Sequence, residues 1–562
     1  MISRFHKTHA SVTPDSTGLP VSGKRRRVLP VHPLLFAMFP FLAFYAQNFG
    51  KTPLEQIVEP LGRALIGTAA VWLVFLALTR QVRKAAFAAS VLVLPFFAYG
   101  HIVLLLPKVL QEMPWLPASA GLLGTVAILA FIMRIREPLY DTTSGLNVAA
   151  VVLLLPSCWT ILVGVSAVGY RLPQYIPRGV TLSPGRATVT VDRHLSEAAK
   201  DTPDVYYIVL DAYGRADRLQ TYYGYDNTAF LQALEARGFF LARRSEPNYN
   251  QTPLCLASAL SMNYLEAPAG QKLSPEILRQ KVDDSAVAAY LRTRGYHYVD
   301  VASGLEESRV DTADLVLNDE PDLSIVAGQV LGMTAFGLIP SQQKGRYDRH
   351  RRRLNGGFTH VAEVAALPYP KFVFTHILAP HPPFVFGPNG EAINPKGVLN
   401  LSDASELLQQ ITKDEYRRGY IAQLQYVNKR TLEAVDAILR QSKHRPIIII
   451  QGDHGSRMNL DWESLARTDL REPFANLNAY LVPDKVRLDL TDKITPINSF
   501  RIILTDVFGA QLPRLPDRNF YSTESHPYDF VDVTERLARL ASSSPRARYA
   551  IRTGGKALPM TP

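Results

Sequence analysis

The chain has only two cysteines in 562 residues, Cys158 and Cys255. Cys158 falls inside an apolar stretch and Cys255 lies far downstream, so a disulfide framework is excluded, and any folded domain here must be held by its own core. A domain of more than 300 residues buries enough surface to do that unaided. Charge is also missing over long distances. Five stretches, 31–49, 61–79, 85–106, 115–133 and 148–169, are apolar over close to the ~20 residues a bilayer-spanning helix needs. No comparable run follows residue 170. A concentrated basic face is scarce as well. Residues 1–170 hold 14 Lys and Arg against 6 Asp and Glu, which leaves only +3 of the net +11 to the remaining 392 residues. The one dense cluster downstream, "RYDRHRRR" at 346–353, reads as a solvated loop or a patch facing anionic headgroups, and a nucleic-acid partner is not expected.

What is present supports five retained spans. Lys24 to Arg27 precede the first, but no small-residue cleavage site follows, which sets aside a signal peptide. Basic residues recur on alternate loops, at 24–27, at Arg80, Arg83 and Lys84, and at Arg134 and Arg136. By the positive-inside rule the N-terminus is cytoplasmic and everything beyond residue 170 lies on the other side, in the periplasm of a Gram-negative bacterium or outside the cell otherwise. The chain then divides into a cytoplasmic segment (1–30), a membrane domain (31–170), a Pro- and Gly-rich linker (171–203), a soluble domain (204–540) and a disordered tail (541–562).

From residue 204, short β-rich runs alternate with helical patterns: "DVYYIVLD" at 204–211, "AFLQALEARG" at 229–238, "DSAVAAYLRTRG" at 284–295, "YHYVDVA" at 296–302 and "KFVFTHIL" at 371–378. Such alternation predicts an α/β domain with a mostly parallel central sheet covered by helices. A long helix starts at Thr412, which with Glu415 forms a capping box, and buries Tyr420, Leu424, Val427, Val435 and Ile438. Pro446 stops it, and four isoleucines, 447–450, follow. A strand apolar on both faces belongs mid-sheet, which sets Asp453 and His454 at its C-terminal end, where open α/β sheets bind ligands.

Two more stretches meet that pattern. The strand at 204–211 also ends on a carboxylate, Asp211, with Gly214 just beyond. In "NYNQTPLCLASALSMNYL", 248–265, Thr252 before Pro253 is a helix start, with the threonine as cap and the proline in the first turn. A hydroxyl there sits beside free backbone N–H groups, a setting that suits a bound phosphate or sulfate. Threonine is a poor nucleophile unless a metal or base stabilises its alkoxide. Asp211, Asp453 and His454 with Thr252 offer three oxygens and one imidazole, suited to Zn²⁺ or Mn²⁺ ahead of Mg²⁺.

The strand-Asp-x-x-Gly start, the Thr-Pro helix, "HILAPHPPF" and the strand-Asp-His-Gly end occur in that order, which resembles the sulfatase-type branch of the alkaline phosphatase superfamily. With five spans ahead of it, the chain is similar to lipoteichoic acid synthases and lipid A phosphoethanolamine transferases. The resemblance implies a threonine that takes a phospholipid headgroup phosphate and passes it to an envelope glycan or glycolipid. Thr252 is then the nucleophile and Asp211, Thr252, Asp453 and His454 bind one metal; His381 and His376 contact the transferred group. Arg457, in "DHGSR", is a further candidate for binding a carboxylate or a second phosphate. Two-zinc members would need further ligands, for which Asp300 and His526 are the candidates.

The chain departs from the pattern at three points. Asp211 stands where the phospholipid-using enzymes carry Glu, the disulfides of the phosphoethanolamine transferases are missing, and "TPLCLAS" lacks the Cys/Ser-x-Pro-x-Arg motif of true sulfatases. A phosphodiesterase or sulfatase-type hydrolase and a catalytically silent scaffold therefore stay open beside the transferase.

Overall fold

The computed structural model describes residues 28–47, 55–107, 110, 113, 115–136, 139–168, 202–268, 270–318, 330–335, 340–395, 401 and 403–542. The expected linker and most of the tail lie outside the described residues. Five apolar helices open the chain: α1 (His32–Gln47), α2 (Glu55–Thr79), α3 (Val82–Leu104), α4 (Trp115–Arg134) and α5 (Tyr140–Val168). Among the described residues four of them, α2 to α5, are long and apolar enough to cross a membrane. Four of the five expected spans are thus met among the described residues; the described part of α1, 16 residues, reaches ~24 Å against a hydrocarbon core of ~30 Å. It packs inside the bundle all the same, with Phe36 and Ala37 against Val93 of α3 and Ala150 of α5.

The soluble part is built on a seven-stranded sheet of β1 (Val205–Leu210), β2 (Phe240–Leu241), β3 (His297–Val301), β4 (Leu315–Leu317), β5 (Lys371–Ile377), β6 (Ile447–Gly452) and β7 (Asn478–Leu481). Its order is β2-β7-β6-β1-β5-β3-β4. The pairs β1–β5, β1–β6, β3–β5 and β3–β4 are parallel, and β7 is antiparallel to both its neighbours. The expected mostly parallel sheet is what forms.

Pleating sends alternate residues to opposite faces, so the isoleucine run serves two cores. Ile448 and Ile450, with Tyr206, Ile208 and Val373, pack under the helices Thr228–Ala236, Pro340–Glu363 and Lys413–Gln441. Ile447 and Ile449, with Tyr207, Val209 and Phe374, pack under Thr252–Ser261, Pro275–Asp283, Ala286–Arg292 and Pro496–Phe508. The Thr412–Glu415 capping box closes as expected.

"RYDRHRRR" is neither a loop nor wholly solvated. It lies within the helix Pro340–Glu363, because Tyr347, Leu354 and Phe358 are drawn into the core and carry the backbone with them. Arg351 is buried and bonds to Asp348, the Ile393 carbonyl and Asn394. One short stretch of the downstream part also touches the apolar helices. Val330 packs against Phe41, Tyr45 and Ile57, and the Gly100 amide donates to the Met333 carbonyl at 2.7 Å.

Candidate functional site

β1 and β6 are adjacent and parallel, in a register that sets Leu210 beside Gly452. Their next residues therefore leave the same sheet edge together, and Asp211 meets Asp453 and His454. One ligand atom from each of the three lies within 4.8 Å of the others. All three side chains are buried. Ala212 adopts φ 59°, an unfavourable backbone for a residue with a Cβ, and its amide is thereby aimed at Asp453 Oδ1, 3.0 Å away.

The glycines of the second loop are required by space. A Cβ on Gly455 would stand 2.1 Å from the Glu472 carbonyl and 2.6 Å from that of Ala475, and one on Gly452 2.5 Å from the Tyr213 carbonyl. Glu472 then fixes the rest of "DHGSRMN", accepting from the Ser456 hydroxyl, the Met458 amide and the Asn459 amide at 2.8–3.0 Å.

Thr252 opens its helix, but Gln251 is the cap residue and the threonine hydroxyl caps nothing. The hydroxyl is turned instead to His454, with Oγ1 3.0 Å from Nε2. This corrects the expected cap by one position. His454 Nδ1 lies 2.8 Å from the Gly455 carbonyl and so keeps a proton, which leaves Nε2 to face the cluster.

These groups fit a divalent cation. Asp211 Oδ1 and Asp453 Oδ2 are buried with no hydrogen-bond donor, and His454 Nε2 is 3.5 and 3.1 Å from them. Buried carboxylate oxygens this close to one another repel unless a second proton on the imidazole or a metal cation joins them. Both stay ionised. Burial alone would raise the Asp453 pKa, yet the His454 and His376 imidazoles and the Arg457 guanidinium hold it well below the ordinary value. Burial and Asp453 push Asp211 up, and His381 and His376 more than offset them.

The remaining candidates are placed around this centre. His376, on β5, is fully enclosed behind Asp211, Nε2 to Oδ2 3.3 Å. Burial lowers its pKa, but the Asp211 carboxylate outweighs that and raises it. His381, in the Pro-His-Pro-Pro loop, is nearer the surface, 4.0 Å from Asp403, with its carbonyl held by Gln423 at 2.9 Å. Arg457 donates to the Asn250 carbonyl at 2.7 Å and pairs with Asp403 at 3.2 Å. Asp300 and His526 are not brought into the cluster: Asp300 sits within β3, and His526 lies in an exposed turn against Ser525.

Asp403, Gln423 and Glu472 carried no sequence signal. Each stands apart from a strand end or a recognisable motif, Gln423 within the helix Lys413–Gln441 and the other two on loops, and only tertiary packing brings them to the site.

A scan against protein-family profiles finds no match, and a search of curated proteins finds no significant relative. Solved structures do resemble the chain, at low identity. The C-terminal periplasmic domain of EcEptC from Escherichia coli is 12% identical over 64% of this chain and 98% of that one, with a TM-score of 0.38. The soluble domain of lipooligosaccharide phosphoethanolamine transferase A from Neisseria meningitidis is 13% identical over 56% and 91%, with a TM-score of 0.35. A protein in the alkaline phosphatase superfamily from Vibrio parahaemolyticus is 12% identical over 64% and 90%, with a TM-score of 0.34.

Proposed function

We propose that the protein is a metal-dependent transferase that moves a phospholipid headgroup phosphate, of the phosphoethanolamine or phosphoglycerol type, through Thr252 to an envelope glycan or glycolipid. The observation that carries this reading is the Thr252 hydroxyl, 3.0 Å from His454 and at the mouth of the buried Asp211, Asp453 and His454 cluster. A divalent ion held by those three residues, Zn²⁺ or Mn²⁺ by donor type, would acidify the hydroxyl and offset phosphoryl charge.

In the first half-reaction Thr252 Oγ1 forms a bond to phosphorus, the bond from phosphorus to the glyceride oxygen breaks, and diacylglycerol leaves with the proton the threonine gives up. His381, the least enclosed imidazole of the site, would hand that proton on. In the second, an acceptor hydroxyl bonds to phosphorus, the Thr252 ester breaks, and the acceptor proton returns to Oγ1. The helix N-terminus beneath Thr252 and the fixed side chains supply positioning and charge, which is most of what phosphoryl transfer requires.

Orientation supports the same reading. Arg80, Arg83 and Lys84 at the α2–α3 junction and Arg134 and Arg136 at the α4–α5 junction stand at one end of the helices, with Lys84 Nζ donating to the Met133 and Ile135 carbonyls, so the positive-inside rule leaves the α/β part on the opposite, external side even when α1 is not counted. There it meets the outer-leaflet lipids the reaction needs, in the cytoplasmic membrane of a bacterium.

The test is intact-mass measurement of the full-length protein incubated with a bacterial phospholipid extract, with Thr252→Ala beside it. An adduct on the wild type alone is expected, its mass naming the headgroup. Donor turnover to water with no adduct and no transfer would shift the assignment to a hydrolase, which Asp211 in place of Glu favours. Metal-free protein with neither activity would leave a silent scaffold.

A further inference from the structure

The catalytic groups are buried, yet beside them lies an open polar cavity of about 620 Å³ to which the mechanism assigns no role. It is wired to the nucleophile from two sides. On one wall Met458 and Trp462 flank Arg457, whose guanidinium lies 5.0 Å from the Trp462 ring and holds the Asn250 carbonyl, two residues before Thr252. On the other, Glu524 donates its amide to the Trp462 carbonyl at 2.9 Å. It follows Ser522 and Thr523, whose hydroxyl and carbonyl oxygens accept from the side-chain amide (Nε2) of Gln251, one residue before Thr252, at 3.0 and 3.1 Å. The cavity and the nucleophile therefore share the same short segments of chain.

From this geometry we infer that the cavity binds the acceptor, and that the acceptor presents a neutral or amino sugar there. The inference rests on the transferase reading and adds the ligand class of its second half-reaction. The lining decides the chemistry. Trp462 is half-buried and offers an indole, the flat surface that covers the C–H face of a sugar ring. Around it stand Gln409, Asn459 and four carboxylates, Glu406, Asp461, Glu463 and Glu524, against two cations. Arg467 is committed to Asp461 at 2.5 Å and Lys413 to Asn459 at 2.9 Å. A cavity of net charge −2 repels a phosphate or a uronate and accepts from hydroxyl and ammonium groups. Its mostly polar walls do not suit acyl chains, and its volume falls in the ~300–1,000 Å³ range of small-ligand sites.

Trp462 is also the reporter. The other three tryptophans, Trp72, Trp115 and Trp159, lie in α2, α4 and α5, so no other stands in the soluble part. Full-length protein in nanodiscs is titrated with D-glucosamine, D-glucose and D-glucuronate while tryptophan emission is followed, without donor lipid. A saturable change with the first two, absent in Trp462→Phe, weaker by at least about tenfold in Gln409→Arg, and slight with glucuronate, is expected. No saturable change, a change that survives in Trp462→Phe, or glucuronate as the tightest ligand would overturn the inference.

A second measurement separates it from the reading it rests on. With donor lipid, Gln409→Arg should acquire the Thr252 adduct at the wild-type rate but discharge it to glucosamine more slowly. Equal discharge by both proteins would refute the acceptor role. Sugar binding without any adduct on the wild type would instead keep the cavity as a saccharide site and refute the phospho-threonine.

Discussion

Thr252 Oγ1 and His454 Nε2 stand 3.0 Å apart although 202 residues separate them in the chain. The helix opening at Thr252 packs under one face of the sheet while His454 leaves the edge of β6, and only a packed sheet brings the two together. On the proposed transferase reading the hydroxyl, rather than the bulk, is what the reaction needs. Thr252→Ser should keep the adduct at a reduced rate, whereas Thr252→Val, which matches the shape, should lose it. Folding should be nearly unaffected in both, because a lost buried hydrogen bond costs about 1 kcal/mol. An adduct on the valine variant, read by intact mass, would remove Thr252 from the nucleophile role.

Much of this arrangement was legible before any coordinates. Isoleucines 447–450, β-branched and stopped from continuing the preceding helix by Pro446, name a central strand because a strand with four apolar residues in a row must be buried on both faces, and Asp211 and Asp453 both follow such strands. The parallel sheet then forces them to a common edge. Other parts were not legible. The start at Thr252 shifted by one residue because its hydroxyl prefers His454 over capping. The helix through Arg351 was read as solvated because charge dominates its composition, while three well-spaced apolar residues decide its burial. Glu472 and Asp403 act through loops whose course follows from tertiary packing and has no local periodicity.

Gly455 tests how tightly the metal-type loop is built. Alanine there would meet the Glu472 and Ala475 carbonyls at distances no Cβ tolerates, and these are backbone atoms that cannot swing away. Gly455→Ala should cost on the order of 1–3 kcal/mol in unfolding free energy, as overpacking generally does, and should abolish adduct formation. A variant of unchanged thermal midpoint and activity would show the loop to be soft.

Arg457 is expected to act by placing the segment ahead of the nucleophile. Its two-pronged hold on the Asn250 carbonyl and Asp403 needs a planar guanidinium, which a lysine ammonium does not reproduce. Arg457→Lys should therefore slow adduct formation by roughly 10- to 100-fold, the scale of a displacement of about 1 Å at the reacting atoms. The thermal midpoint and metal content should stay near wild type. Single-turnover mass measurements read the rate directly, and a rate within twofold of wild type would leave Arg457 no positioning role.

Removal of the metal should be visible without any substrate. Asp211 Oδ1 and Asp453 Oδ2 have no donor of their own, so a bound divalent ion stabilises the folded chain over the unfolded one. At a free concentration one hundred times its dissociation constant the gain is about 2.7 kcal/mol. Stripped protein should melt lower, recover with Zn²⁺ or Mn²⁺, and hold about one ion per chain by elemental analysis. Asp453→Asn should bind none and show no recovery; metal held equally by that variant would place the ion elsewhere.

Acid should destabilise the soluble part through His350, on the same helix as Arg351. Burial first, then the neighbouring Arg353, His381 and Arg351, lower its pKa from 6.5 to about 3. The unfolded chain therefore binds a proton at His350 between about pH 6.5 and 3 that the folded chain refuses, so stability is complete above that window and falls as pH drops through it. At pH 5 the loss from this one residue is about 2 kcal/mol relative to neutral pH. Thermal midpoints of full-length protein in detergent, followed from pH 7.5 to pH 5, should fall more steeply for the wild type than for His350→Leu, which cannot take up the proton. Superimposable profiles would mean that His350 is already protonated, or is solvated, in the folded protein.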